Sequence, residues 1–380
     1  MTDKILPREA VEFFRRKSLK ATDHWTDLWH GEHARFFTVA RSVYADILTD
    51  IYNEIDKAIE SGETLRDFQK NLKPVLQRKG WWGKTEDGVQ LGSMRRLRTI
   101  YDTNLRAAYA AGRWERIQRR KDYMPYLQFI IVDDNRTRAS HRVWANKVYR
   151  VDDPIWNKIY PPLGWNCRCI VRQLSRAEVE ARGLKVETGP ELQYVSWLNR
   201  KTGQVQLVPY GIDPGFDYNV GKANLRVKSR EQVADKAASW PAEITDNTVR
   251  NMVKDEDFAD FYEAPSGYYV VAAADDLIKK TLKTEVSAIY FSDESLIKNK
   301  HHHPDLKLED YQNIPEVARD YDYLVQDTEK SVVAVKEIKD KKYWLAVKIT
   351  RKGDEIFTQS YHLTYEAQIK SLLRKGKRLK

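Results

Sequence analysis

Residues 93–132 read SMRRLRTIYDTNLRAAYAAGRWERIQRRKDYMPYLQFIIV. Within this stretch the spacing of apolar residues changes from helical to strand-like. Over residues 93–123 apolar side chains recur at three- and four-residue steps, which predicts one long helix that carries many arginines. After Pro125 the run 126–132 is nearly all apolar, as in a buried strand, and residues 133–136 predict a turn. The sequence therefore predicts a helical region that gives way to β structure near residue 125.

The sequence before this stretch also predicts helices. A first helix is expected from Pro7, because proline fits the first turn of a helix. A second, longer helix is expected from Trp25 onward, since apolar residues recur with helical spacing as far as Ile59 and glycine then follows. A third helix is expected to begin at Thr64, which is a good capping residue.

Residues 126–183 predict a compact, mostly irregular β module with short strands at 148–151 and 170–174. Glycine and proline are frequent over residues 184–229, a pattern typical of a hairpin and linker. We therefore place a domain boundary near Arg230.

Residues 230–380 predict an α+β domain. Three stretches in which apolar and polar residues alternate, 331–338, 343–350 and 355–362, predict an antiparallel meander. The predicted fold class is thus multi-domain: a mainly α domain over residues 1–125 with its small irregular β module, a linker, and an α+β domain with an antiparallel sheet.

The charge of the chain is concentrated at one end. The formal net charge is +10, and residues 1–229 hold 40 of the 65 basic residues but only 28 of the 55 acidic ones. An excess of positive charge favours polyanionic neighbours such as nucleic acid or an acidic protein surface. The excess of positive charge therefore belongs to the N-terminal part.

The sequence gives no sign of a membrane-bound or secreted protein. Apolar runs are too short to span a bilayer, and the first residues lack the apolar core of a signal peptide. Only two cysteines are present, Cys167 and Cys169, so a disulfide framework is not the source of stability. We expect a cytoplasmic protein without membrane partners, in which the two cysteines are a reduced pair or part of a metal site.

Four motifs in order resemble the F-type minor head proteins of phage Mu. They are HARFFTVA with KGWWG (33–40 and 79–83), RTIYDTNLRAAYAAGR (98–113), TRASH (137–141) and PPLGWNCRC (161–169). The resemblance covers residues 7–175. It implies a low-copy protein of head morphogenesis, with portal, major capsid and scaffold proteins as partners, and no catalysis in this part. The implied location is the capsid interior of the virion, and the bacterial cytoplasm during assembly.

Three side chains suggest a metal site: His141, Cys167 and Cys169. Thiolate and imidazole are the preferred ligands of zinc, and a structural zinc would stabilise a turn-rich module; no other cofactor is expected. The family resemblance implies four ligands in metal-competent relatives, with further cysteine and histidine ligands where this chain has Arg138 and Trp165. The alternative is a packed pair of thiols beside a hydrogen-bonded His141.

The long helix carries arginines that are candidates for DNA binding: Arg95, Arg96, Arg106, Arg113, Arg116 and Arg120. Arginine neutralises phosphates without reading sequence, so such contacts would be nonspecific and salt-dependent. A solvated helix face, or one that pairs with acidic residues of a portal or capsid subunit, is an equal alternative.

The C-terminal domain resembles the barnase, RelE and colicin-type ribonucleases found at the ends of some phage head proteins. The resemblance rests on VSAIYFSDESLIK (286–298), HHHPDL (301–306), IPE (314–316) and the strand that ends at TQSYH (358–362). It implies metal-independent cleavage of RNA, with host RNA as a substrate. A Gly-rich nucleotide loop or a Glu-x-Glu pair, which would favour an ADP-ribosyltransferase, does not stand out.

Cleavage of this kind needs a base, an acid and positive charge around the phosphate. The candidates are His301 and His303 as base and acid. The positive charge would come from Lys300, Lys348 and Arg351, and Thr358, Ser360 and His362 would be donors from a strand. The alternative is an exposed histidine tract, because adjacent side chains cannot all face one cleft. The domain would then be an inactive interaction module of a purely structural assembly protein.

Overall fold

The computed structural model describes residues 7–42, 44–263, 265 and 267–380. The chain forms two compact units, which divide between Leu225 and Arg226. The division falls inside one helix, Val220–Ala237. None of the described helices is both long and apolar enough to cross a membrane.

The first unit is mainly helical at its N-terminal side. Its helices are α1 (Arg8–Arg15), α2 (Glu32–Arg35), α3 (Ala45–Ser61), α4 (Leu65–Arg78), α5 (Met94–Arg120), α6 (Ala139–Arg142), α7 (Trp156–Ile159), α8 (Arg176–Ala181) and the start of α9 (Val220–Ala237). Helix α5 packs against α1, α3 and α4. The hydroxyls of Thr64 and Ser93 cap α4 and α5 by accepting backbone N–H groups. Gly62 ends α3 in the left-handed region, at φ 70°.

The predicted long helix from Trp25 is wrong over its first half. Residues 25–42 form a 3-10 turn (Trp25–Asp27), α2 and the short strand β2 (Phe36–Phe37). Strand β2 pairs with the preceding strand β1 (Ser18–Leu19). His30 and Arg41 have positive φ values, 42° and 62°, which a helix does not allow. The aromatic side chains are buried by tertiary packing, as where Phe37 meets Phe14 at 5.5 Å, so their spacing was not a helical signal.

The irregular module contains a four-stranded sheet in the order β5-β3-β4-β6. Its strands are β3 (Tyr126–Ile130), β4 (Val148–Arg150), β5 (Ile170–Leu174) and β6 (Val186–Glu187). A hairpin follows, formed by β7 (Tyr194–Leu198) and β8 (Val205–Pro209). The module thus alternates short strands with turns.

The linker prediction for residues 184–229 differs from the structure after the hairpin. Ile212, Asp217 and Asn219 are buried within the first unit, and the Asp213 N–H donates to the Leu163 carbonyl. Glycine and proline are frequent here because the chain turns tightly across the module, and they do not mark a free linker.

The second unit is built on a seven-stranded sheet in the order β15-β11-β12-β13-β14-β10-β9. The strands are β9 (Tyr268–Ala273), β10 (Ala288–Ser292), β11 (Tyr323–Thr328), β12 (Ser331–Ile338), β13 (Lys341–Ile349), β14 (Ile356–Leu363) and β15 (Lys377–Arg378). The helices are α10 (Ala242–Met252), α11 (Glu256–Glu263), α12 (Asp276–Leu282), α13 (Asp293–His302), α14 (Leu308–Tyr311), α15 (Ile314–Arg319) and α16 (Glu366–Lys375). Strands β12, β13 and β14 form the predicted antiparallel meander. The predicted fold class is confirmed.

Strand β14 contains a one-residue β-bulge where it pairs with β13. Opposite β13, Ala346 pairs with Ser360 and Val347 pairs with Thr358, so Gln359 is the extra residue. Strand β10 pairs with β14 only at Ile356 and Phe357. Beyond that point the edge of β14 needs other hydrogen-bond partners.

The side chain of Asn299, in α13, provides those partners. Its amide donates to the Tyr361 carbonyl at 2.7 Å and accepts from the Tyr361 N–H at 2.9 Å. The same amide nitrogen lies 2.9 Å from the Tyr311 hydroxyl. Because Asn299 is only 4% exposed, water cannot replace these bonds. The contact fixes the end of α13 beside β14.

We expect Asn299→Ala to lower the free energy of unfolding by about 2–4 kcal/mol, because two buried backbone groups of Tyr361 lose their partners. Urea unfolding of the full chain measures the change. Asn251→Ala is the matched control, since its exposed amide bonds only one carbonyl of its own helix, at 3.1 Å; a change within about 0.5 kcal/mol is expected there. Equal effects of the two variants would contradict the edge role of Asn299.

Candidate functional site

His141, Cys167 and Cys169 lie together in the irregular module. All three are buried, and their candidate ligand atoms lie within 4.8 Å of one another. The His141 Nδ1 is 3.8 Å from the Cys167 sulfur and 3.7 Å from the Cys169 sulfur. Helix α6 supplies the histidine, and the turn before β5 supplies both cysteines. Arg168, which lies between the two cysteines, points away from the cluster. Its guanidinium donates to the Asp134 carboxylate at 2.8 Å.

The hydrogen bonds of the cluster suit a metal site. The other ring nitrogen of His141, Nε2, lies 3.1 Å from the Gly211 carbonyl, so Nε2–H donates and the Nδ1 lone pair faces the sulfurs. Hydrogen bonding from the Cys169 thiol holds the pKa of Cys167 well below its ordinary value. A thiolate and a neutral imidazole are the forms that bind zinc.

The cluster offers three ligands and an open side. A cavity of about 250 Å³ borders all three residues and is lined further by Arg136, Arg138 and Trp165, among others. Arg138 supplies no ligand, because its guanidinium nitrogens pair with Asp213 at 2.8 and 2.9 Å and one donates to the Trp165 carbonyl. The residues therefore fit a zinc ion with three protein ligands and one position left for water.

The six arginines of α5 do not form one free basic face. Arg96 donates to the carbonyls of Gln90, Leu91 and Ala40, and burial lowers its pKa to about 10. Arg106 donates to the Cys167 carbonyl, and Arg116 pairs with Glu9 at 2.8 Å. These three arginines hold the fold together, which the sequence prediction of DNA contacts did not foresee.

The remaining three arginines are better placed for an external partner. Arg95 and Arg120 are exposed. Arg113 lines a cavity of about 280 Å³ together with Arg106, Arg168 and two tyrosines. Any phosphate contact of this helix is therefore expected at separate points and not along a continuous stripe.

In the second unit, the predicted catalytic residues lie in different places. Lys300 donates to the Tyr262 carbonyl at 2.7 Å and sits 3.9 Å from the centroid of that ring. His301 is exposed and contacts the ring of His302. Thr358 is fully buried. It pairs with Val347, a core residue, and so lies on the covered face of the sheet.

The other three residues share the opposite face with an aromatic stack. Ser360 pairs with Ala346, and Lys348 follows two residues later in β13, so both side chains point to one face. On that face His362 stacks on Trp344 with ring centroids 5.5 Å apart. His303, which directly follows α13, stacks on His362 with ring centroids 4.8 Å apart. The structure thus brings His303 near a different histidine, and His301 is not part of the group.

His362 is a site residue that the sequence prediction treated only as a hydrogen-bond donor. Burial, and then the neighbouring His303, lower the pKa of His362 to about 4. Its buried Nδ1 has no hydrogen-bond partner among the described residues. The sequence feature that could have identified His362 is the alternation of apolar and polar residues in β13 and β14. In the resulting sheet Trp344 lies directly opposite His362.

Comparison with known proteins assigns a family to part of each unit. Residues 49–172 match the family described as "Phage Mu protein F like protein". The first unit contains a Mu F-like domain. Residues 269–371 match the family described as "phage-Barnase-EndoU-ColicinE5/D-RelE like nuclease3", so the second unit contains a nuclease-like domain. Both resemblances predicted from the motifs are confirmed.

Two relatives resemble the Mu F-like part. The "Putative capsid assembly protein F" of Escherichia phage Mu is 38% identical over an alignment of 245 residues, and the match covers 58% of this chain and 55% of that protein. The "Mu-like prophage FluMu F protein" of Haemophilus influenzae is 39% identical over an alignment of 228 residues, and the match covers 54% of each chain. The chain thus spans about half the length of these relatives. No solved structure gives a significant match.

The matched regions contain the candidate sites. Cys167 and Cys169 lie at the C-terminal end of the Mu F-like domain, together with His141. Lys348, Ser360 and the three-ring stack belong to the nuclease-like domain. The two groups therefore call for separate functional explanations.

Proposed function

We propose that this chain is a minor head protein of a tailed phage or prophage that also carries an RNA-cleaving domain. The Mu F-like domain would act in head morphogenesis, in contact with portal, major capsid and scaffold proteins at the capsid interior. The nuclease-like domain would act on RNA of the host. The observation that carries the proposal is the presence of both domains in one chain.

The assembly role is supported by the relatives, one of which is named as a putative capsid assembly protein. The charge of residues 1–229 also suits a place near packaged DNA. We propose that Arg95, Arg113 and Arg120 make any such contact, since Arg96, Arg106 and Arg116 are engaged within the fold. Contacts of this kind are nonspecific and weaken steeply with salt.

The cleavage role is supported by the groups on the sheet face opposite Thr358, where His303 stacks on His362 beside Ser360 and Lys348. His362 has a depressed pKa and is neutral at pH 7, so it can accept the proton of a 2'-hydroxyl. The oxygen so activated attacks the phosphorus, and the bond from phosphorus to the 5'-oxygen breaks. His303, in its protonated form, would then deliver a proton to the leaving oxygen. Lys348 and Ser360 lie on the same face and would stabilise the charged phosphate.

We expect the purified full chain to cleave bacterial RNA in the presence of EDTA. Alanine variants of His303 and of His362 should each lose about 100-fold or more in rate, the usual effect of removing a general acid or base. His301→Ala is the matched control, because His301 is two residues from His303 yet exposed and outside the stack. Gel-based cleavage rates of the folded proteins measure the difference.

Three results separate the alternatives. Cleavage that depends on His303 and His362 but not on His301 supports the proposed site. Cleavage that depends on His301 instead would place the chemistry elsewhere in the domain. No cleavage by the folded wild type would favour an inactive interaction module in a structural assembly protein.

We propose further that His141, Cys167 and Cys169 bind a structural zinc ion. The ligand atoms, the tautomer of His141 and the adjacent cavity support this proposal. The ion would supply tetrahedral crosslinking of the module, and the fourth position would hold water.

We expect the full chain to bind Co²⁺ in place of zinc with an absorption band from thiolate to cobalt, and to unfold at a lower temperature after chelation, because bound metal stabilises the folded state. Cys169→Ser should weaken the band and the stabilisation. His302→Ala should change neither, since that exposed histidine lies in the other unit. A chain that shows no thiolate band and no effect of chelation would favour the packed-thiol alternative.

A further inference from the structure

Lys17 is a buried lysine that has no negative partner among the described residues. Its side chain lies at the C-terminal end of α1, the residue is 7% exposed, and its ammonium sits 4.5 Å from the centroid of Phe13. Among the described residues no carboxylate or hydrogen-bond acceptor contacts this ammonium. Its neighbours in the basic run differ, because Arg15 pairs with Asp56 at 2.9 Å and Arg16 donates to Asn224 at 2.8 Å. Lys17 therefore has a different role from the rest of the run.

Lys17 borders two adjoining cavities of the first unit, of about 340 and 80 Å³. The side chains that border both are Lys17, Trp25, His33, Thr103, Asn104 and Trp165. Because the two cavities have these six residues in common, they adjoin and a single ligand can extend through both.

The walls are aromatic and only half-buried. Trp25 meets Trp165 edge to face at 6.1 Å and lies 5.8 Å from Trp197. Trp165 in turn meets Phe216 at 5.0 Å. Several large rings that are left partly exposed around one cavity are typical of a ligand site, since pockets combine apolar walls with few polar groups.

The polar groups of the cavity favour an anion. The described lining residues include no aspartate or glutamate. The buried Thr103 hydroxyl has no hydrogen-bond partner among the described residues. Burial, with the charge of Lys17, lowers the pKa of His33 to about 4, so His33 stays neutral. Arg96 also borders the larger cavity but is bonded to backbone carbonyls.

An unpaired buried ammonium destabilises the folded state, and burial lowers the pKa of Lys17 to about 7. The folded pKa is below the unfolded value, so the unfolded chain binds more protons between about pH 7 and 10. The cost is therefore largest below pH 7 and disappears as pH rises toward 10. An anionic ligand that pairs with Lys17 in the folded state would offset this cost.

We propose that this cavity binds a ligand that has an aromatic body and one carboxylate, with the carboxylate on Lys17 and Thr103 and the body between Trp25 and Trp165. Such a group is presented by a free aromatic acid or by the C-terminal residue of a peptide. The site is independent of RNA cleavage and of the zinc proposal.

The test is calorimetric titration of the full chain with indole-3-propionate and its neutral amide, and with the peptide Gly-Gly-Trp and its C-terminal amide. We expect at least one acid to bind about tenfold or more tightly than its amide, the effect of one charge-assisted hydrogen bond. Tighter binding of the peptide or of the free acid identifies the source.

Two variants locate the effect. Lys17→Met should abolish the preference for the acid and raise the melting temperature by about 2 °C or more at pH 6, with a smaller gain at pH 9. Lys17→Gln is used if the methionine variant does not fold, with the same loss of preference expected. Lys20→Met is the control, since Lys20 also lies over a phenylalanine but is 40% exposed and faces Glu32. Equal binding of acid and amide, no binding of either, or a preference that survives at Lys17→Met would overturn the proposal.

Discussion

The hydrogen bonds of the Asp213 carboxylate hold together distant parts of the first unit. This carboxylate accepts hydrogen bonds from both terminal nitrogens of Arg138 and from the backbone N–H of Trp165. The approach is so close that a Cβ at Gly164 would lie 2.2 Å from a carboxylate oxygen, which only glycine permits. This contact joins a turn far along the chain to the middle of the PPLGWNCRC motif.

Both candidate sites of that unit follow from this contact. It places the Gly211 carbonyl against His141, which sets the tautomer that faces the two sulfurs. It also holds Trp165 against Phe216 on the wall of the Lys17 cavity. Arg138 stands where the family resemblance implies a metal ligand in other members. Arg138 therefore takes the place of a fourth ligand, and through Asp213 it stabilises the arrangement of His141, Cys167 and Cys169.

The sequence predicted those elements whose signals are local. Thr64, Ser93 and Gly62 end helices by capping, and the meander of the second unit follows from strict alternation. The failures involve contacts that are distant in sequence. The aromatic residues after Trp25 are buried by packing without being helical, and residues 211–225 join the module through bonds with partners more than 40 residues away.

The candidate sites show the same limit. Spacing alone favoured His301 and His303 as a pair, whereas the pairing of His303 with His362 depends on the bulge at Gln359 and on where Asn299 fixes the end of α13. Likewise, a basic run gave no indication that Lys17 alone turns inward. Which side chains meet or turn inward depends on strand register and burial. Both result from contacts throughout the fold, so the spacing of residues in the sequence does not reveal them.

We propose that head assembly resides in the Mu F-like unit and RNA chemistry in the nuclease-like unit. The most direct test supplies the full chain, or its variant with both His303 and His362 changed to alanine, to an otherwise complete phage that lacks it, and counts DNA-filled heads by electron microscopy. We expect few normal heads without the chain and equal rescue by wild type and variant. Normal heads without the chain, or failure of the folded variant to restore them, would contradict it.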